Sequence, residues 1–162
     1  MKTAIYPGTF DPITNGHLDI ITRSLKIVDK LYVSIAIDSP KIALFSIEER
    51  MAMVNQELMD NKLENNVEVV TFSGLMVNFA KEISASIVIR GLRVASDFDY
   101  EFQMSCINSM LDSNLQTIFL PSDKNLHLVS SSFAKEIAKL HGNTGNFLSK
   151  KIKEKLANKY NS

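Results

Sequence analysis

The chain has 162 residues, of which 45% are hydrophobic and 22% charged, so it is long enough to bury the core of one globular domain over residues 1–162. Its 18 basic and 18 acidic residues balance, and this excludes a global attraction to nucleic acid or to anionic membranes. A lone cysteine, Cys106, cannot form an internal disulfide, and no apolar run approaches the ~20 residues that span a bilayer, so we expect a cytoplasmic protein.

The first third of the chain alternates between strand-like and helical patterns. A strand is predicted at residues 4–6, and apolar residues then recur at helical spacing over residues 18–28. Residues 31–37 form a continuous apolar run, which is typical of a strand covered on both faces. Ser46 and Glu49 have the spacing of a capping box and predict that a helix starts there.

The same alternation continues to the C-terminal end. The patterns predict strands at residues 67–72, 87–89 and 117–120, and helices at residues 75–83, 100–111, 130–142 and 148–156. Alternating strands and helices indicate an α/β fold with a parallel sheet. We therefore predict a Rossmann-like, doubly wound five-stranded sheet with a C-terminal helical extension.

The loop after the first strand, residues 7–17, has the composition of a phosphate site. Ligands bind outside the carboxyl ends of the strands in such a sheet. Gly8 lets the backbone approach an anion, and Asn15-Gly16 can start a helix whose N–H groups attract negative charge. His17 can then donate a hydrogen bond to the anion, with Thr9 opposite. The alternative is an ordinary turn with an incidental histidine.

Basic residues follow two other strands. Lys41 comes after the second strand, although a loop lysine can simply be solvated. Arg90 and Arg93 come after the fourth strand, and two guanidinium groups there suit phosphate or carboxylate recognition. Ion pairing with the acidic residues between 97 and 101 is the alternative for both arginines.

Three consecutive hydroxyls, Ser130 to Ser132, precede the helix after the fifth strand. One of them suffices to cap that helix, and all three together could hold a triphosphate. Phosphate-suited groups thus follow four of the five predicted strands. No nucleophile with an adjacent base is found in the sequence, which favours direct transfer between two bound substrates. His127, His141 and Cys106 lack the spacing of metal ligands, so we expect no metal held by protein residues alone.

The motifs resemble those of a known family, the bacterial phosphopantetheine adenylyltransferases of the nucleotidyltransferase superfamily. The segment from Ala4 to His17 is similar to that family's version of the H-x-G-H element. Later matches are Phe45-Ser46 with Glu48-Glu49-Arg50, Phe72-Ser73-Gly74-Leu75, Ile89-Arg90-Gly91-Leu92-Arg93, Asp97-Phe98-Asp99-Tyr100-Glu101 and Val129-Ser130-Ser131-Ser132. The first and last of these motifs are shared across the superfamily, whereas I-R-G-L-R and F-S-G-L narrow the resemblance to this family.

The resemblance implies transfer of AMP from ATP to 4′-phosphopantetheine, which gives dephospho-CoA and pyrophosphate, with Mg²⁺ accompanying ATP and a homohexamer as the assembly. His17 and Thr9 would be the catalytic residues, with His17 stabilising charge on the reacting α-phosphate and Thr9 orienting the acceptor phosphate. Acceptor binding would involve Thr9, Lys41, Met76 and Arg90. ATP binding would involve Thr9, Phe10, His17, Gly91, Leu92, Arg93, Glu101, Leu126, His127, Leu128, Val129, Ser130, Ser131 and Ser132.

Two positions depart from the family pattern. Leu126 stands where relatives often have tryptophan, and Ile42-Ala43 replaces a segment that commonly carries proline. Two other functions compete: a sister enzyme that acts on nicotinamide mononucleotide, against which Arg90 to Arg93 argue, and a nucleotide-binding regulatory module without turnover, since fold alone does not establish activity.

Overall fold

The computed structural model describes residues 1–38, 40 and 42–161. Its elements, in chain order, are β1 (Thr3–Gly8), α1 (Asn15–Ser24), β2 (Lys30–Ala36), α2 (Ile47–Asp60), β3 (Val67–Phe72), α3 (Met76–Glu82), β4 (Ile87–Leu92), α4 (Ala95–Leu111), β5 (Gln116–Pro121), α5 (Ser131–Lys139) and α6 (Lys150–Asn161).

The strands form a five-stranded sheet in the order β3-β2-β1-β4-β5, and every neighbouring pair is parallel. This order confirms the predicted doubly wound α/β class. The chain leaves the centre of the sheet in opposite directions, so the connections after β1 and β4 diverge and leave a crevice at their carboxyl ends. The predicted site loop follows β1, and Arg90 lies on β4.

Strand β1 is the centre of the core because both of its faces are covered. Ala4 belongs to the larger apolar cluster, with residues of α1, α2, α5 and α6, whereas Ile5 belongs to a second cluster with Val77 of α3 and Val88. Successive side chains of a strand point to opposite faces, so these two clusters lie on the two sides of the sheet. The predicted C-terminal helix α6 takes part in the larger cluster through Ile152 and Leu156.

Two helix starts have full capping boxes. Ser46 Oγ accepts a hydrogen bond from the backbone N–H of Glu49 at 3.2 Å, and the Glu49 carboxylate accepts the Ser46 N–H at 2.8 Å, as the sequence predicts. The first helix uses the same device, with Thr14 as its N-cap and His17 as the residue that reaches back. The side chain that starts α1 is therefore also a predicted catalytic side chain.

Among the element boundaries that differ from the sequence prediction, two affect the site. β4 continues to Leu92 because Arg90 to Leu92 pair with Phe119 to Pro121 of β5, so Arg90 lies inside the strand instead of following it. Helix α4 starts at Ala95, five residues before the predicted start, because the Asp97 carboxylate accepts the backbone N–H of Arg93 at its start. Polar capping of this kind leaves no apolar periodicity for a sequence reading to detect.

Among the described residues, no helix has both the length and the apolar composition needed to cross a membrane.

Candidate active site

Two adjoining pockets open at the carboxyl ends of β1 and β4, with volumes of about 450 and 470 Å³. The first, the α3–α4 pocket, lies between these helices and has largely apolar walls that include Met76, Ile107 and Leu111. The second, the α1–α5 pocket, has polar walls that include His17, Arg93 and the three serines. Both pockets share Pro7, Gly8, Thr9, Pro40, Arg90, Tyr100 and Glu101. Two ligands can therefore meet at Thr9 and Arg90.

His17 lies in the first turn of α1, where the sequence predicts it. Its Nδ1 lies 3.0 Å from the backbone nitrogen of Thr14 and 3.1 Å from the Thr14 hydroxyl. The Thr14 N–H can only donate, so Nδ1 must accept and the proton of a neutral ring lies on Nε2. The helix cap thus fixes the tautomer, and Nε2–H is left as a hydrogen-bond donor on a residue that lines the α1–α5 pocket.

The imidazole of His17 is neutral at physiological pH. Burial, assisted by the nearby positive charge of Arg93, lowers its pKa from 6.5 to about 4. A neutral ring donates one hydrogen bond without a permanent charge, so it interacts most strongly with an oxygen whose negative charge grows during a reaction.

Phe10 supports the imidazole from behind. Its ring centroid is 4.9 Å from that of His17 and 5.5 Å from that of Tyr6, and the residue is 1% exposed. A Cβ on Gly8 would lie 3.0 Å from the Phe10 ring, which is tighter than most Cβ contacts, so glycine favours the close packing of this ring against the loop. Phe10 itself has a φ of 48°, a left-handed conformation that is unusual for a bulky residue and costs roughly 1 kcal/mol or more.

Thr9 is held through its backbone carbonyl. The buried guanidinium of Arg50 donates from Nη1 to the Thr9 oxygen at 2.8 Å, and its Nε lies 3.4 Å from the carbonyl oxygen of Ser46. Helix α2 therefore fixes the position at which the first loop separates the two pockets.

Both predicted arginines are ion-paired with α4. Arg90 donates from Nε and Nη2 to the Glu101 carboxylate, at 2.6 Å for the first of these bonds, and from Nη1 to the Pro7 carbonyl at 2.9 Å. Arg93 pairs with Asp97 at 3.2 Å. Each guanidinium lines a pocket and is also oriented by an acid. The two hypotheses that the sequence left open, ion pairing and ligand recognition, are therefore compatible.

The serine segment divides its hydroxyls among different tasks. Ser130 is the N-cap of α5 and accepts the Phe133 N–H at 3.1 Å. Ser131 donates to the Pro12 carbonyl at 2.7 Å and so ties α5 to the first loop. Ser130 to Ser132 all line the α1–α5 pocket together with the start of α5, where backbone N–H groups favour an anion.

The other predicted site residues divide into three sets. Met76 lines the α3–α4 pocket, and Phe10, Gly91, Arg93 and Val129 line the α1–α5 pocket. Leu92, Leu126, His127 and Leu128 line neither pocket. His127 and Leu128 are exposed. Lys41 lies outside the described residues.

Several residues of the site escaped the sequence prediction. Tyr100 lines both pockets, although its position in an apolar stripe indicated only a helix face. Asn108 is a buried polar residue of α4 that lines the α3–α4 pocket. It lies one helical turn after Met104, and a polar amide at that position of an apolar stripe was the signal that could have revealed it. Arg50 and Asp11 act from behind the loop, where only a long-range contact reveals them.

Among residues 1–38, 40 and 42–161 no group of three or more His, Cys, Asp or Glu side chains could hold a metal ion. The carboxylates of Asp97 and Glu101, which border the α1–α5 pocket, are paired with arginines.

Comparisons with known proteins agree with this architecture. Residues 5–137 match the model of the cytidylyltransferase-like family. A phosphopantetheine adenylyltransferase of Wolbachia pipientis subsp. Culex pipiens is 50% identical over 97% of this chain and 92% of its own length, and one from Caulobacter vibrioides is 44% identical over 96% of both. In fold, the chain is similar to a Plasmodium falciparum nicotinic acid mononucleotide adenylyltransferase complexed with NaAD, with a TM-score of 0.71, 16% identity, and coverage of 99% and 97% of the two chains. The chain belongs to the cytidylyltransferase-like family and, within it, to the phosphopantetheine adenylyltransferases.

Proposed function

We propose that this chain transfers AMP from ATP to 4′-phosphopantetheine, giving dephospho-CoA and pyrophosphate. The observation that carries the proposal is the meeting of the two pockets at Thr9 and Arg90, beside a histidine whose tautomer is fixed. One pocket suits a long, weakly polar arm and the other a nucleotide triphosphate. Because the two pockets share a wall, both substrates can bind side by side, which direct transfer requires.

The α3–α4 pocket is assigned to the acceptor. Its apolar walls fit the methylene groups of the pantetheine arm, and the Asn108 amide on the same wall can hydrogen-bond to an amide of the arm. The acceptor phosphate then lies at the shared wall, near Thr9 and the guanidinium of Arg90. Lys41 is proposed as a further ligand of this phosphate because the family resemblance implies that role for its position.

The α1–α5 pocket is assigned to ATP. The start of α5, with the hydroxyls of Ser130 to Ser132, and the guanidinium of Arg93 supply groups that favour the triphosphate. Val129 and Gly91 border the same space and suit contacts with the less charged part of the nucleotide.

The reaction is a single in-line displacement. An oxygen of the acceptor phosphate attacks the α-phosphorus of ATP, and the bond from that phosphorus to the oxygen bridging to the β-phosphate breaks. The electron pair of that bond leaves with pyrophosphate, and no protein nucleophile or proton transfer is needed. Nε2–H of His17 stabilises the charge that grows on the α-phosphate oxygens, so catalysis consists of positioning and electrostatics.

We also propose that Mg²⁺ accompanies ATP. The paired state of Asp97 and Glu101 supports ligands supplied mainly by the phosphates and by water, which is how proteins commonly bind this ion. When bound, the ion neutralises phosphate charge.

A homohexamer and a cytoplasmic location are further parts of the proposal. Helix α4 supports the assembly, since it exposes large apolar side chains, among them Phe102, Met110 and Leu111.

The proposed cytoplasmic location is supported by Cys106, an exposed free thiol, which fits a reducing compartment.

The test is pyrophosphate release from ATP with a panel of phosphorylated acceptors. We expect release with 4′-phosphopantetheine and none above background with nicotinamide mononucleotide. The reverse preference would identify the sister activity. ATP binding without turnover on any acceptor would identify a regulatory module.

A further inference from the structure

Asp11 is a buried carboxylate in the middle of the first loop, and its residue is 3% exposed. It lines neither pocket. Its oxygens accept the backbone N–H groups of Leu44 and Phe45, each at 2.9 Å, and the ammonium group of Lys135 at 2.7 Å. A buried charge is tolerated only when it is paired and hydrogen-bonded, so these contacts are what keep the carboxylate in place.

The partners of Asp11 belong to segments that are far apart in sequence. Leu44 and Phe45 directly precede α2, the helix whose Arg50 holds the Thr9 carbonyl. Lys135 lies on α5, one turn after the three serines. Asp11 itself is two residues from Thr9. One carboxylate thus joins the loop after β1, the residues that precede α2 and the helix assigned to the triphosphate.

We propose that Asp11 and Lys135 form a positioning pair. Their contact sets the distance between two sides of the α1–α5 pocket, one formed by Thr9 and the other by Ser130 to Ser132. The proposal rests on the proposed function. Ser131, which donates to the Pro12 carbonyl, fastens the same two segments one residue further along the loop, so the pair works beside a second link. Displacement of reacting groups by about 1 Å can lower a rate by roughly a hundredfold.

The variants Asp11→Asn, Lys135→Gln and the double variant test the pair. Asparagine keeps one acceptor oxygen but turns an NH₂ group either toward Phe45 or toward both Leu44 and Lys135, and glutamine at position 135 removes the ammonium charge. We expect kcat to fall at least about tenfold in each single variant, with a smaller change in the KM for ATP, because the walls shift while their ligand groups stay. The double variant should lose little more than Asp11→Asn alone, since both changes break one contact.

Glu57→Gln is the matched control. Glu57 is also a buried carboxylate, 4% exposed, and it joins α2 to Ser149 before α6, away from both pockets. It should lower the melting temperature without changing kcat. Unchanged kcat in Lys135→Gln, with a lowered melting temperature like that of the control, would show that the pair serves stability alone and would overturn the proposal.

Hydrogen exchange separates this proposal from the proposed function. Wild-type protein that releases no pyrophosphate on any acceptor refutes the function, and the pair is then decided by amide exchange. We expect Lys135→Gln to speed exchange at Leu44, Phe45 and the start of α5 together. Faster exchange at α5 alone, with Leu44 and Phe45 unchanged, would overturn the pair, because the shared carboxylate would then not couple the segments.

Discussion

At the scale of single residues, the neutral state of His17 is the property that most affects the chemistry. The Thr14 N–H fixes the tautomer, and burial holds the pKa near 4. Spacing and composition could predict that a histidine begins the helix, but not its protonation, which depends on the rings of Phe10 and Tyr6 packed around it.

The lowered pKa has a consequence for stability. Between pH 6.5 and pH 4 the unfolded chain protonates at His17 while the native ring stays neutral, so the contribution of this group is complete above pH 6.5 and is lost as the pH falls through 4. Urea unfolding should be measured at pH 7 and pH 5 in wild type and in His17→Gln, which has no ring to titrate and can still cap α1. Between these pH values the free energy of unfolding should fall by on the order of 1 kcal/mol more in wild type than in the variant. Equal losses in both proteins would contradict a depressed pKa.

At the scale of elements, the site depends on how β4 and α4 are joined. Arg90 lies in β4 and Arg93 directly follows it, whereas their acids, Glu101 and Asp97, lie on α4. The order and type of all these elements could be predicted from apolar periodicity. The choice of acid for each arginine could not, because it depends on the extension of β4 to Leu92 and on the earlier start of α4.

The variant Glu101→Gln tests what this acid does. If Glu101 acts by orienting Arg90, losing its charge should raise the KM for phosphopantetheine roughly tenfold and the KM for ATP less, because a charge-assisted bond to the guanidinium is weakened. Asp97→Asn, which affects Arg93, is the matched control. It should raise the KM for ATP more than the KM for phosphopantetheine. A larger rise in the ATP KM for Glu101→Gln would instead favour the direct nucleotide contact that the family resemblance implies.

Some site predictions could not be made from sequence because the contacts are long-range. Arg50 lies 41 residues from the Thr9 carbonyl that it holds, and Lys135 lies 124 residues from Asp11. Strand-end motifs, by contrast, led directly to Thr9, His17 and the serines, since the topology of a parallel sheet gathers them. The single domain over residues 1–162 and the catalytic and binding roles of the site residues, including Lys41 and Leu126 to Leu128, stay predictions.

At the scale of the whole molecule, α4 is a helix that the chain leaves largely uncovered. Within α4, all of which is described, Asn108 is the only buried residue, while Tyr100, Met110 and Leu111 are more than half exposed. Apolar periodicity predicted the helix correctly but gave no sign of which of its side chains would be exposed. This exposure supports the proposed assembly.

Met110→Glu tests the assembly. Met110 is 87% exposed and lines neither pocket, so a carboxylate there should disrupt contacts between copies without changing the site of one chain. Light scattering after size exclusion should give a hexamer for wild type and a smaller particle for the variant. Met59→Glu, at an exposed position of α2, should leave the mass unchanged. A wild-type monomer would refute the hexamer.

We propose that His17, which lines the α1–α5 pocket, acts on the transition state of AMP transfer. The most direct measurement is the single-turnover rate of pyrophosphate formation in wild type and His17→Ala, together with the Kd for ATP. We expect a rate lower by about a hundredfold or more in the variant, with ATP affinity within about threefold of wild type. Equal losses of rate and of ATP affinity would refute this role, since His17 would then bind the substrate and its transition state alike.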